Sequence, residues 1–194
     1  MKPSRAAALT LRLAGWQWEG ALPAEKKFVC LAYPHTSNWD GVVLLLVART
    51  VGLDMRFMIK SEWTRGPLGP LMRGFGAVAV DRSKKNNIVD DMIAEFGRCE
   101  SMQLVIPPEG TRGRTDGWRS GFYYIARGAN VPVVPGYLDF RRKRAGMGPP
   151  VYLTGDVKAD MDKLRAFYAQ QKVTPHNPAD VGAIRLREEA TVEP

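Results

Sequence analysis

The chain is a succession of short, mostly apolar runs, closed by Gly, Pro or charged clusters, with amphipathic stretches between them. Phe28 to Tyr33, Met55 to Ile59, Gly76 to Val80 and Met102 to Ile106 are compact runs of this kind and predict strands. Gly15 to Gly20 predicts a short strand and Val151 to Thr154 a last one. Val131-Pro132-Val133-Val134-Pro135 predicts a strand near an edge or bend, because proline withholds a ladder donor. Val89, Met92, Ile93 and Phe96 recur at i, i+3, i+4 and i+7, the spacing of a helix with one buried face. Ser37 opens a helix that runs to about Thr50 and stops at Gly52. A short helix ends near Gly74, and Gly121 to Arg127, Ala159 to Gln170 and Asp180 to Glu189 also read as helices. Residues 1–15 fit a short amphipathic helix, or a strand from the alternation of Leu9, Leu11 and Leu13.

Strands alternating with helices define an α/β class: one domain over residues 1–194, with a mixed, mainly parallel sheet flanked by helices. At 194 residues the chain can build one packed core. Gly146 to Pro150 reads as a loop rather than a domain linker. A net charge of +8 and an isoelectric point near 9.7 favour an anionic partner: nucleic acid, an acidic membrane surface or a phosphorylated substrate. Cys30 and Cys99 form no CxxC and no Cys/His cluster, so a reduced, cytoplasmic compartment is expected and a metal site is not. The longest apolar run, Val42 to Ala48, falls short of the ~18 residues a spanning helix needs. Arg12 interrupts the N-terminal apolar stretch, so a signal peptide is not expected either. The chain then reads as soluble or peripherally membrane-bound.

Two segments carry candidate chemistry. Pro34-His35-Thr36-Ser37-Asn38-Trp39-Asp40 holds one of the two histidines, five residues before a carboxylate. On a continuous helix that spacing turns about 140°, so the two side chains meet only if His35 lies in a loop and the chain folds back at Ser37. Pro34 ends the strand, and Ser37-x-x-Asp40 is a capping-box pattern that supplies the break. Asp40 then orients an imidazole whose other nitrogen faces a substrate hydroxyl, and imidazole, with an ordinary pKa near ~6.5, is a base suited to neutral pH. The plainer alternative is a helix-capping Asp40 beside a hydrogen-bonded loop histidine. Ser37 has no nucleophile-elbow motif around it. The second segment is Pro108-Glu109-Gly110-Thr111-Arg112, where Gly110 lets the backbone approach a ligand and Arg112 offers a fork matched to phosphate oxygens. Arg114 and Arg119 follow, and Arg82 closes another predicted strand as a second clamp. Glu109 is either a counter-ion to these cations or the group that orients Arg112. His35, Arg82 and Glu109 all follow predicted strands, which places them at one carboxyl edge of the sheet.

Four segments together resemble the glycerolipid acyltransferase family. His35 to Asp40 matches its H-x4-D block, Gly76 to Arg82 its arginine-ended second block, Glu109 to Arg112 its E-G-T-R block, and Val131 to Pro135 its proline-bearing fourth block. They occur in family order within about residues 28–140. The resemblance implies transfer of a fatty acyl group from acyl-CoA or acyl-carrier protein to a glycerophosphate or lysophospholipid hydroxyl. It implies His35 as general base and Asp40 as its orienter, with no cofactor beyond the thioester co-substrate. Arg82, Glu109, Gly110, Thr111 and Arg112 would shape the acceptor-phosphate site, joined by Arg119 where members commonly carry lysine.

An acyl chain needs an apolar lining, and Val42 to Val47, beside Asp40, is either that lining or a buried core helix. Arg141-Arg142-Lys143-Arg144 would meet anionic lipid, or is a solvated loop. Leu9, Trp16 and Trp18 suit a membrane interface. The competing class is a basic nucleic-acid-binding module without catalysis, but no aromatic RNA-binding signature or zinc-finger spacing is present and no nucleic acid is expected. A hydrolase using the same base on water is a third reading.

Overall fold

A computed structural model describes residues 2–80 and 88–188. The strands are β1 (Gln17–Glu19), β2 (Lys27–Ala32), β3 (Met55–Lys60), β4 (Ala77–Val80), β5 (Met102–Ile106), β6 (Val133–Asp139) and β7 (Arg144–Met147). The helices are α1 (Arg5–Leu13), α2 (Asn38–Val51), α3 (Ser61–Arg65), α4 (Gly69–Gly74), α5 (Ile88–Arg98), α6 (Gly121–Gly128) and α7 (Val157–Gln171). One sheet runs β1-β7-β6-β2-β5-β3-β4. Every neighbouring pair is parallel except β6–β7. The mixed, mainly parallel α/β sheet expected from the sequence is the observed one.

Period-2 alternation along β2 builds both sides of the core. Val29 and Leu31 pack with Met92 and Phe96 of α5, Phe122 and Ile125 of α6, and Met161 and Leu164 of α7. Phe28 and Cys30 pack on the other side with Ala48 of α2, Leu53 and Val105. Burying such side chains contributes roughly 1.5–3 kcal/mol each, and this fixes β2 at the centre. The crossover leaving β2 runs to β3 beyond β5, while the crossover leaving β5 runs back past β2 to β6. The connections diverge at the carboxyl ends of β2 and β5, the position where open α/β sheets hold ligands.

One open alternative is settled and several expectations are corrected. Residues 5–13 are helical, capped by Ser4, whose hydroxyl accepts from the Ala7 N–H at 3.3 Å. Ala7 and Leu11 are buried one turn apart while Leu9 and Leu13 are exposed, so packing settles the helical alternative. Pro135 sits in an interior strand rather than at an edge. The Val133 N–H bonds Val151 on the β7 side, so residue 135, two further on, turns its missing donor the same way, opposite the Gly148–Pro150 bend. The last predicted strand reduces to one antiparallel bridge, Val133–Val151. Arg144–Met147 forms a strand instead, where the sequence shows only a basic run entering a Gly/Pro loop. That basic run is tied internally: Arg142 pairs with Asp139 at 2.6 Å, Arg144 with Glu19 at 3.3 Å, and Lys143 Nζ donates to the Ala14 carbonyl at 2.9 Å. On α2, Val43 and Val47 are buried and Val42 is exposed, so this helix is not a wholly buried core helix.

The helix expected from Asp180 to Glu189 is absent over its described part. A 3-10 turn at Pro178–Asp180 leads into an irregular strap, with a single bridge at Leu186 and a further 3-10 turn at residues 187–188. Tertiary partners take the backbone groups a helix would use: the Gly182 carbonyl accepts from the Tyr33 hydroxyl at 3.1 Å, and Leu186 bridges Trp118. Trp118 is buried between Tyr33, Phe122 and Tyr168, edge-on to each, and its Nε1 meets no acceptor among the described residues. Trp118→Ala should cost about 3–5 kcal/mol of stability. Trp118→Phe, which loses no hydrogen bond, should cost clearly less in urea unfolding of the same protein.

Candidate active site

β2 ends at Ala32, and Pro34 turns the chain out of the sheet. The loop then folds onto its own carboxylate. Asp40 is the third residue of α2, and its Oδ2 accepts the Thr36 N–H at 2.7 Å and the Ser37 N–H at 2.9 Å. Ser37 Oγ accepts in return from the Trp39 N–H at 3.2 Å. This capping box turns residues 35–40 back on themselves. His35 Nδ1 therefore lies 3.1 Å from Asp40 Oδ2. An ionised carboxylate only accepts, so it draws the proton to Nδ1 and leaves the Nε2 lone pair free to take another. Nε2 has no protein partner among the described residues, and the His35 side chain is 18% exposed against 6% for Asp40.

The opposite wall comes from the loop after β5. Glu109 is 2% exposed and turns inward, and its Oε2 accepts the His35 backbone N–H at 2.8 Å. It forms no ion pair with Arg112 among the described residues, so neither expected role, counter-ion or arginine orienter, describes what its carboxylate touches. Burial pushes the Glu109 carboxyl up to about 7; the His35 N–H offsets part of that rise and the charge of Asp40 adds to it. Burial likewise raises the Tyr33 phenol to about 12, with Glu109 adding to the rise.

Gly110 adopts φ +69, and a Cβ there would stand 2.6 Å from Arg119 Nε. Its lack of a side chain lets Arg119 lie against the E-G-T-R turn. The turn is closed by Gly110 N–H to the Pro107 carbonyl at 3.1 Å and Arg119 N–H to the Pro108 carbonyl at 2.8 Å. Thr111 Oγ1 accepts from the Gly113 N–H at 3.3 Å. Arg112 and Arg114 are exposed on this loop, without protein partners among the described residues. Thus His35, Asp40 and Glu109 are joined by direct hydrogen bonds, Gly110 and Arg119 flank them, and Arg112 stands exposed beside them. Arg82 lies outside the described residues.

Two residues that the sequence pattern does not single out reach the site from the strap. Asn177 donates its backbone N–H to Thr36 Oγ1 at 3.0 Å and its Nδ2 to the Thr36 carbonyl at 2.9 Å. Arg187 donates to the carbonyls of Glu109 at 3.3 Å and Gly117 at 3.2 Å. Both contacts span long sequence separations and belong to no local motif.

The sheet opens at its switch point, with a histidine–carboxylate pair on the loop after β2 and an arginine-bearing turn on the loop after β5. The family model described as Acyltransferase matches residues 17–139, more than half of the chain, and the chain belongs to this acyltransferase family. Among solved structures, the 1-acyl-sn-glycerophosphate (LPA) acyltransferase PlsC from Thermotoga maritima is similar. It shares 17% identity, with a TM-score of 0.61, over 88% of this chain and 78% of that one, a likeness of fold. No curated protein sequence matches.

The Glu109 carboxyl, raised from 4.5 to about 7, holds its proton in the folded chain where the unfolded chain releases it. Its contribution to stability is complete below pH 4.5 and is lost as pH rises through about 7. Glu109→Gln keeps an acceptor for the His35 N–H and should flatten this part of the stability profile. The difference in denaturant unfolding between the two limits should reach at most about 3 kcal/mol.

Proposed function

We propose that this acyltransferase moves a fatty acyl group from an acyl thioester, acyl-CoA or acyl-carrier protein, to the hydroxyl of a glycerophosphate-type or lysophospholipid acceptor. The observation that carries this reading is the 3.1 Å contact between His35 Nδ1 and Asp40, with Nε2 unpartnered among the described residues beside the arginine-bearing turn. The Thermotoga maritima protein, whose fold this chain shares, is a 1-acyl-sn-glycerophosphate acyltransferase, which supports the same acceptor class.

His35 Nε2 removes the acceptor hydroxyl proton as the oxygen attacks the thioester carbonyl. The carbon–oxygen bond forms, the carbon–sulfur bond breaks, and the imidazolium returns its proton to the leaving thiolate. Asp40 stabilises the imidazolium while it exists. Arg112 and Arg119, joined by Arg82, which follows β4 in the sequence, hold the acceptor phosphate, and Gly110 and Thr111 shape the turn that presents them. The alcohol is thereby oriented toward Nε2, and no cofactor enters the scheme.

The acylated product is a lipid, and the surface suits a peripheral place on the cytoplasmic leaflet. Trp39 and Val42 are 60% and 48% exposed at the start of α2, next to Asp40. Leu9 and Leu13 are exposed on α1 among the basic side chains of Arg5 and Arg12. This pairing of apolar and cationic groups suits an anionic bilayer surface. No helix among the described residues is long and apolar enough to cross a membrane. The nucleic-acid alternative leaned on residues 141–144, and three of those four side chains are engaged with Asp139, Glu19 or Ala14.

A mass-spectrometric screen of lysophospholipids and glycerol 3-phosphate against acyl-CoA and acyl-carrier-protein donors should yield an acylated acceptor. His35→Ala should lower that rate by about 10³-fold while thermal unfolding stays near the parent's. Thioester cleavage that ignores the acceptor would support a hydrolase instead, and substantial residual transfer in the variant would remove His35 as the base.

A further inference from the structure

The scheme above uses groups between residues 35 and 119, and the family match ends at residue 139. The strap after α7 lies beyond that match, yet it touches the loop that carries the base. Thr36, buried at 3% exposure, lies between them. The peptide that joins Thr36 to Ser37 is held at both ends. Its N–H, from Ser37, donates to Asp40 Oδ2 at 2.9 Å, and its carbonyl, from Thr36, accepts from Asn177 Nδ2 at 2.9 Å. A second strap contact fixes the Thr36 side chain, whose Oγ1 accepts the Asn177 backbone N–H at 3.0 Å. A peptide group is planar, so the orientation of its carbonyl sets the orientation of its N–H. The oxygen that this N–H holds is the one His35 Nδ1 meets at 3.1 Å.

We propose that Asn177 is a positioning residue for His35: by holding the carbonyl end of the Thr36–Ser37 peptide from the strap, it keeps the N–H end, Asp40 and the imidazole in register. The rest of the strap is anchored for this task. Phe140 N–H donates to the Thr174 carbonyl at 2.8 Å, just before Asn177, and the Tyr33 hydroxyl donates to Gly182 at 3.1 Å, just after it. The Trp118 N–H donates to the Arg185 carbonyl at 2.6 Å, and the Arg187 N–H returns to the Trp118 carbonyl at 3.0 Å. Asn177 thus sits on a tied segment, and its amide is presented to Thr36 at a fixed place. Loss of that amide frees the peptide to rotate, and a misplaced base loses rate rather than substrate affinity.

The inference rests on the acyl-transfer reading with His35 as base, and its test carries an arm that needs no activity. Asn177→Asp keeps the side-chain shape but sets a carboxylate oxygen against the Thr36 carbonyl in place of the donor. It should lower kcat by about tenfold and leave the KM of donor and acceptor within about twofold. Arg185→Ala removes a strap contact to the Asp116 carbonyl, away from Thr36, and should leave kcat near the parent's. The second arm reads the imidazole of His35 directly. His35 and His176 are the only histidines, so a His176→Gln background leaves one ring to observe by proton NMR. The parent should show an Nδ1–H resonance protected by its carboxylate partner, and Asn177→Asp should weaken it or lose it to solvent exchange. Asn177→Ala repeats both arms if the aspartate variant does not fold. An unchanged Nδ1–H signal, unchanged kcat, or an equal loss in Arg185→Ala would overturn the proposal. If the parent transfers no acyl group at all, the activity reading fails by itself, and the resonance still decides what Asn177 does to the ring.

Discussion

The site depends on one carboxylate oxygen. Asp40 Oδ2 gathers the N–H groups of Thr36 and Ser37 and the Nδ1 of His35 within 2.7 to 3.1 Å. Without that convergence the residues between Pro34 and α2 have no reason to fold back, and a histidine five positions before an aspartate would face away from it. The same contacts that start α2 therefore also set the imidazole. Charge-assisted bonds of this kind exceed neutral ones in strength, and their burial keeps water from competing. Asp40 Oδ1, by contrast, is buried with no donor among the described residues, so the charge is stabilised from one side.

The rest of the fold presents that loop and closes it in. β2 is central, with β5 and β6 as its neighbours, so the residues after β2 and β5 emerge side by side. Glu109 joins the two loops by taking the His35 N–H, in a place dry enough to hold its carboxyl near neutrality. Gly110, with no side chain, gives Arg119 room against the same turn. The strap adds a third support from the far end of the chain. It packs on Trp118 and reaches both Thr36 and the Glu109 carbonyl. A rigid sheet edge, a self-capping loop and a strap thus restrain one imidazole from three directions, the preorganisation that the proposed base role calls for.

Much of this was legible in the sequence because the signals were local. The run from Phe28 to Tyr33 stopped by Pro34, the capping pattern from Ser37 to Asp40, and Gly52 after the helix each act over a few residues, and the structure follows them closely. The E-G-T-R turn was equally local, though its glutamate faces His35 rather than the arginines, because the buried His35 N–H needs an acceptor and Arg112 can remain in solvent. What was not legible depends on distant partners. Arg144–Met147 is a strand because β6 lies beside it, and Pro135 is tolerated inside the sheet because the chain bends opposite its missing donor. Residues 181–188 have a helical pattern but form an irregular strap instead of an α-helix, since Trp118 and Tyr33 supply hydrogen bonds from elsewhere in the chain. Asn177, 141 positions from Thr36, carries no mark in its own neighbourhood.

The central claim is that the Asp40 charge serves the imidazole as well as the helix. Asparagine is an equally good capping acceptor, so Asp40→Asn can keep the Thr36 and Ser37 contacts while removing the charge. The decisive measurement is the single-turnover rate of acyl transfer in that variant, with acceptor and thioester both saturating. A fall of about 10²-fold or more in a protein that still folds is the predicted result. A rate within twofold of the parent would make Asp40 a helix cap alone and would contradict the account.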